Sequence, residues 1–381
     1  MTDPRFQIRC RALLALWVGA VVIVSVQAAA NQNNNFEIFR TSWLNLLSDK
    51  DLYATSLRHF DLFMYSPTFA VLFAPFAVLP FWLGVLLWNG ANAGALYWGL
   101  GRVLSAEQAF VARLIVFMDT VGSMQNAQSN ALVAGLIIIT FAELERRREF
   151  RASLAVAIGT AIKIFPLVAV VFSIFRPWRV PRFALYCLIV GVLLLSAPLL
   201  FMSPDALIDQ YRTWMSHQRV KDGGYSIMHH LQMWLGVTWA NWPVQLLGAV
   251  VLLAPLIQVP HWGDLRFRLL LLASTLMFCV LFNHAAESPS FVIAVAGVSI
   301  WFAVSPRDRV SWTVLAMVIV GTVLSASEAM PAVLRQHVFV PYKLKTLPVL
   351  LVWALTQVEL WRRNVSAPFQ VRAAERGAPA R

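Results

Sequence analysis

FALYCLIVGVLLLSAPLLFM, residues 183–202, runs for twenty residues without a charge. Wound as an α-helix at ~1.5 Å per residue, it reaches the roughly 30 Å needed to cross the hydrocarbon layer of a bilayer. A helix apolar on every side is accepted only by lipid or by a protein interior. Comparable runs recur at 12–30, 244–259, 269–282, 290–304, 310–325 and 346–361. Of 381 residues, 59% are hydrophobic and 13% charged, with a mean hydropathy of +0.65. Soluble proteins carry about 25% charged residues, so this chain lacks the charge to cover a water-facing surface. A soluble enzyme, a nucleic-acid binder and a secreted disulfide scaffold are excluded. The expected fold is all-α, a polytopic transmembrane helical bundle. Residues 1–366 form a single integral-membrane domain with a first outer loop at 31–66 and a second at 203–242. Residues 367–381 are read as a disordered cytoplasmic tail.

The charges orient the bundle. Lys plus Arg is 31 and Asp plus Glu is 19, a net +12, and arginine-rich loops of a membrane protein stay cytoplasmic. If the spans alternate, Arg176, Arg179 and Arg182, then Arg266 and Arg268, then Arg307 and Arg309, then Arg362 and Arg363 all fall on one side. The opening MTDPRFQIRCR and the apolar run after it resemble a signal peptide. Ala28-Ala29-Ala30 is a weak cleavage site, however, and many spans follow, so an uncleaved first helix is expected. Cys10, Cys187 and Cys279 have no CxxC or Cys/His partner spacing, which leaves neither a disulfide nor a metal site to expect. The first half is harder to thread. Arg102, Arg113, Arg146, Arg147, Arg148 and Arg151 ask for the same side as Arg176, yet one apolar stretch, 153–175, separates two of these clusters. Lys163-Ile164-Phe165-Pro166 interrupts it, and proline removes a helix hydrogen bond. A re-entrant or broken element is predicted there, of the kind tolerated where protein or a watery cavity satisfies the backbone. The alternative is a straight span with one basic loop outside. The total is roughly ten to twelve spans.

Polar side chains gather on the opposite side. In FEIFRTSWLNLL, residues 36–47, Phe36, Phe39, Trp43, Leu44 and Leu47 recur at three- and four-residue steps, predicting a juxtamembrane amphipathic helix. His59, His217, His229, His230, His284 and His337 map outside and only His261 inside. Lys163 breaks a long apolar stretch, where a charge costs ~3 kcal/mol even on lenient scales. It presents an ammonium to an anionic headgroup or phosphate, or else snorkels to the interface. Asp119 reads as a helix cap near Gly122 rather than a buried acid. Gln125, Asn126, Gln128 and Asn130 offer donors and acceptors to sugar hydroxyls, or form a plain polar turn. Asn283, His284 and Glu287 stand at the rim of a short turn, where the glutamate also suits a cap. His229 and His230, about 100° apart on a helix, suit a phosphate or sugar better than a metal. No GxSxG, Walker loop or GxGxxG occurs, so an activated donor has to come from the membrane.

The order NNFEIFRTSWLNLLSDKDLY (34–53), FDLFMYSPTFAVLFAPFAVLP (60–80), QNAQSNALVAGL (125–136) and IKIFPL (162–167) resembles glycosyltransferase family 87, over roughly residues 13–361. The resemblance implies a GT-C fold and a polyprenyl-phosphate-mannose donor that serves as substrate, with no separate cofactor and no metal. It further implies inversion at the anomeric carbon and a lipid or glycan acceptor. Membrane lipid is then a partner and nucleic acid is not. The site would face outward from a multi-pass protein of the inner (plasma) membrane. One departure matters: the family commonly has an acid before the loop phenylalanine, and here Asn35 precedes Phe36. Asp61 and Glu37 are the candidate bases. Glu37 also suits the helix dipole, and Asp61, among aromatics, is preferred. Lys163, with Arg58 or His230, would hold the phosphate. Gln125, Asn126 and Glu287 would hold hydroxyls, with His59, Tyr65, Asn130, His229 and His284 completing the binding set. The rival class is a transporter or flippase, disfavoured because the polar groups crowd one leaflet and no halves repeat. Asn35 also leaves open a catalytically inactive relative or scaffold.

Overall fold

The computed structural model describes residues 3–217, 224–325 and 327–362. The expected tail, 367–381, lies outside the described residues. All regular elements among those described are helical: α1 (Pro4–Ala30), α2 (Asn34–Leu47), α3 (Pro67–Ala77), α4 (Phe81–Val103), α5 (Ala106–Gln125), α6 (Asn130–Glu145) and α7 (Glu149–Ile162). A 3-10 segment (Phe165–Phe175) leads to α8 (Val180–Ser196), α9 (Pro204–His217), α10 (Ile227–Leu235) and α11 (Trp242–Leu253). Then come α12 (Leu265–Leu281), α13 (Phe291–Val304), α14 (Arg309–Val318), the one-turn α15 (Ala332–Leu334) and α16 (Thr346–Trp361).

Helix α13 is the centre. Every residue from Phe291 to Val304 is buried, as are most of α12, the outcome for helices apolar all round when other helices encircle them. The packing relies on small residues: a Cβ on Gly135 of α6 would stand 2.5 Å from the Ala95 backbone of α4, so only glycine permits that approach. Outward-facing Leu14, Val18, Ile23, Leu188, Val192, Leu246 and Val250 on α1, α8 and α11 are exposed, as lipid-facing side chains are. The protein is a polytopic helical membrane protein.

By length and apolarity alone, two helices among the described residues suffice to cross a membrane, Pro4–Ala30 and Pro177–Leu200. A bent pair, α3 and α4 at 118°, makes a third. Roughly ten to twelve spans were expected from hydropathy; several of the apolar stretches form helices of 10–17 residues, among them Trp242–Ile257, Ser288–Val304, Arg309–Leu324 and Thr346–Trp361.

The arginines converge at one end. Arg102 pairs with Glu143 at 2.6 Å, Arg268 with Glu145 at 2.9 Å and Arg266 with Glu359 at 2.7 Å. Across the interrupted stretch, Arg176 reaches the Leu144 carbonyl at 2.6 Å and Arg179 pairs with Glu149. The two basic clusters flanking 153–175 therefore sit side by side. Helix α7 leaves this end and stops at Lys163, whose backbone is extended (φ −143, ψ 142). The 3-10 segment then returns to the start. The element is a broken hairpin, and the straight span is excluded.

Helix α2 forms where expected, capped by Asn33, but its face is rotated. Phe36, Phe39, Trp43 and Leu46 are buried, whereas Leu44 and Leu47 are 36% and 51% exposed. The reason is packing: Phe36 and Phe39 meet Phe73 of α3 edge-on at 5.2 and 5.3 Å, so the buried stripe follows α3.

Candidate functional site

A cavity of about 1300 Å³ opens at the end opposite the arginine network. Four parts of the chain make its walls. Helix α2 and the segment joining it to α3 supply Asn35, Asp61 and Tyr65. The α5–α6 turn supplies Asn126 and Gln128. The hairpin apex supplies Lys163 with Ile162, Phe165, Leu167 and Val168. The α12–α13 turn supplies Asn283, His284 and Glu287, with Phe278 and Phe282 below. Trp214 and His217 of α9 and Gln245 of α11 complete it. One side is thus polar and carries both signs of charge, and the other is aliphatic and aromatic.

Local structure fixes each group. Asp61 lies in the irregular segment between α2 and α3, exposed, with Oδ2 accepting from Asn34 Nδ2 at 3.3 Å. Its backbone carbonyl faces His59 Nδ1 at 2.7 Å. Among the described residues no cation forms an ion pair with Asp61. Asn35, where the family resemblance calls for an acid, donates to the Asn126 carbonyl at 2.7 Å. It pins the first loop to the α5–α6 turn. Asn33 makes the neighbouring bond, to the Gln125 carbonyl at 2.9 Å.

Lys163 Nζ donates to Asn130 Oδ1 at 2.6 Å and stands 5.8 Å above the Tyr65 ring. Helix α7 ends here because Pro166 follows, and the extended Lys163 backbone turns its side chain from the helix into the cavity. Tyr65 is stacked on Phe69 at 4.5 Å, and its hydroxyl lies 3.3 Å from Gln128 Oε1 and 3.2 Å from Ser129 Oγ. Burial pushes the Tyr65 phenol well above its usual range. The hydrogen bond to Ser129 pulls the other way, and the charge of Glu287 adds to the rise. Tyr65 therefore stays protonated. Glu287 lines the cavity and also caps the turn into α13, its carboxylate taking the Ser290 backbone N–H.

Seven expected site residues do not line the cavity. Glu37 sits in the first turn of α2, 3.5 Å from Thr41 Oγ1. Arg58 is exposed, and His59 touches the site only through the Asp61 backbone. Gln125 contributes its carbonyl to Asn33. Asn130 is buried behind Lys163. His230 is buried in α10 with Nδ1 2.8 Å from the Ser226 carbonyl and Nε2 3.2 Å from the Lys343 carbonyl. Those contacts occupy both ring nitrogens. His229 also stands apart from the cavity, its ring 6.2 Å from that of His230.

Asp119 corrects the sequence reading. It is no cap, since α5 runs on to Gln125, but a buried acid 3.1 Å from Lys345 Nζ. Trp214, His217 and Gln245 were missed as a group. The signal was present in α9, where Leu207, Tyr211, Trp214 and His217 recur at three- and four-residue steps. Among the described residues no group of three or more His, Cys, Asp or Glu could hold a metal ion.

Fold and cavity define a polytopic membrane protein with a polar chamber at one end. The sequence profile described as Glycosyltransferase family 87 matches residues 63–331, well over half of the chain, and the chain belongs to that family. It is a glycosyltransferase. Tyr65, Asn126, Lys163 and Glu287 fall inside the matched region, and Asp61 lies two residues before it. No curated protein matches the chain.

Proposed function

We propose that the protein transfers a hexose, mannose in this reading, from a polyprenyl-phosphate donor to a lipid or glycan acceptor at the outer leaflet. The observation that carries this is one cavity lined by a carboxylate, an ammonium and an apolar wall together: Asp61, Lys163, and Phe165 to Val168 with Phe278 and Phe282. The prenyl chain lies along the apolar wall. Asp61 takes the proton of the acceptor hydroxyl as its oxygen bonds to the anomeric carbon. The bond from that carbon to the phosphate oxygen breaks on the opposite face, which inverts the centre. General-base help of this kind is worth roughly 10²–10⁴-fold. Lys163, held by Asn130, meets the charge that builds on the departing phosphate. Asn126, Gln128, His284 and Glu287 receive sugar hydroxyls. Glu37, directed to Thr41, is left out of the chemistry.

The fold belongs, in this reading, to the GT-C class, and the protein works in the inner (plasma) membrane with its arginine end cytoplasmic. The test uses purified protein in liposomes with radiolabelled polyprenyl-phosphate mannose and a membrane extract as acceptor. Label should move into a glycan or glycolipid with wild type and fail to move with Asp61→Asn. Label that enters the vesicle lumen without a covalent product would replace the proposal with a transporter.

A further inference from the structure

Behind the cavity wall lies a polar cluster that the transfer chemistry does not use. Asp119 and Lys345, 226 residues apart in sequence, pair at 3.1 Å with side chains only 4% and 8% exposed. Removing two charges from water at this depth is costly, and well-packed apolar residues often serve stability as well or better. Stability is therefore a weak reason for the pair. Asp119 Oδ2 has no hydrogen-bond partner among the described residues, an incomplete satisfaction that a packing staple would not need.

The geometry beyond the pair supplies another reason. The Lys345 backbone is fixed, its carbonyl taking Thr322 Oγ1 at 2.8 Å, while Thr346 Oγ1 donates to the Tyr225 carbonyl at 2.9 Å. From that anchor the Lys345 ammonium reaches Ser288 Oγ at 3.5 Å. Ser288 follows Glu287 directly, in the turn that carries Asn283, His284 and Glu287 to the cavity. We propose that Asp119 and Lys345 are positioning residues: Asp119 aims the ammonium, the ammonium holds Ser288, and Ser288 sets the turn that presents His284 and Glu287 to the sugar. This inference rests on the cavity being the transfer site.

The experiment measures KM and kcat for transfer from the lipid-linked donor, together with thermal unfolding in detergent. Lys345→Met alone strands the Asp119 carboxyl and should lower both folding yield and activity. The double variant Asp119→Leu/Lys345→Met removes both charges, and should regain thermal stability while KM stays raised about tenfold and kcat changes less. Ser288→Ala, which cuts only the last link, should raise KM similarly at unchanged unfolding temperature, and Lys345→Arg should restore KM. If Ser288→Ala and the double variant both keep wild-type KM and kcat, the pair is only a packing element and the proposal falls. Should the double variant not fold, Ser288→Ala decides alone. Full turnover in Asp61→Asn, by contrast, would unseat the cavity as the site and leave the positioning claim without its basis.

Discussion

At the residue scale, the two acids of the first loop separate cleanly. Asp61→Asn should cost about 10²–10⁴-fold in turnover, the range for loss of a general base. Glu37→Gln should leave turnover near wild type, because Glu37 faces Thr41 rather than the cavity. Single-turnover assays with labelled donor compare the two. Tyr65 gives a pH prediction. Burial holds its phenol above the usual range, so it remains a neutral donor through alkaline pH, and Tyr65→Phe should lower activity without moving the alkaline limb of the rate profile. That Lys163 and Asp61 line the cavity was legible in sequence, Lys163 because it interrupts a long apolar stretch and Asp61 because aromatics surround it near membrane re-entry. His229 and His230 were not. The histidine pair suggested a ligand site, and no local pattern discloses that the carbonyls of Ser226 and Lys343 already occupy both nitrogens of His230. Asp119 failed for the same reason, since its partner lies 226 residues away.

At the element scale, the hairpin of α7 and the 3-10 segment invites a labelling test. Arg151 and Arg182 are both exposed and flank the arms at the arginine end. In a background with the native cysteines replaced, Arg151→Cys and Arg182→Cys should react with an impermeant maleimide from the same side, and Phe60→Cys from the other. Reaction from opposite sides would mean a single straight crossing. Helix contact yields a stability prediction. Gly135→Ala drives a methyl to within 2.5 Å of the Ala95 backbone, and overpacking of this kind costs about 1–3 kcal/mol, measurable as a lower unfolding temperature in detergent. The break at Lys163 could be read from sequence because proline and charge coincide there. The rotation of the α2 face could not. Its spacing admits two neighbouring stripes, and only the aromatic rings of α3, remote from it in pattern, choose Phe36, Phe39, Trp43 and Leu46.

At the scale of the whole molecule, the fold is polarised, with ion-paired arginines at one end and an open chamber at the other. Membrane vesicles of known sidedness test the orientation proposed for it. A membrane-impermeant acceptor should be glycosylated only when presented to the chamber side, and transfer confined to the arginine side would reverse that orientation. The all-helical membrane class was legible from composition, since too little charge leaves no other solution. The number of full crossings was less so, because hydropathy does not register how long a helix each apolar run forms. The hairpin carries one last consequence. A segment that departs and comes home on the same shore contributes nothing to the odd-or-even tally of passages. Excising residues 149–179 would empty the chamber of its ammonium, yet Arg266, Arg268 and Glu359 would still face the compartment they face now.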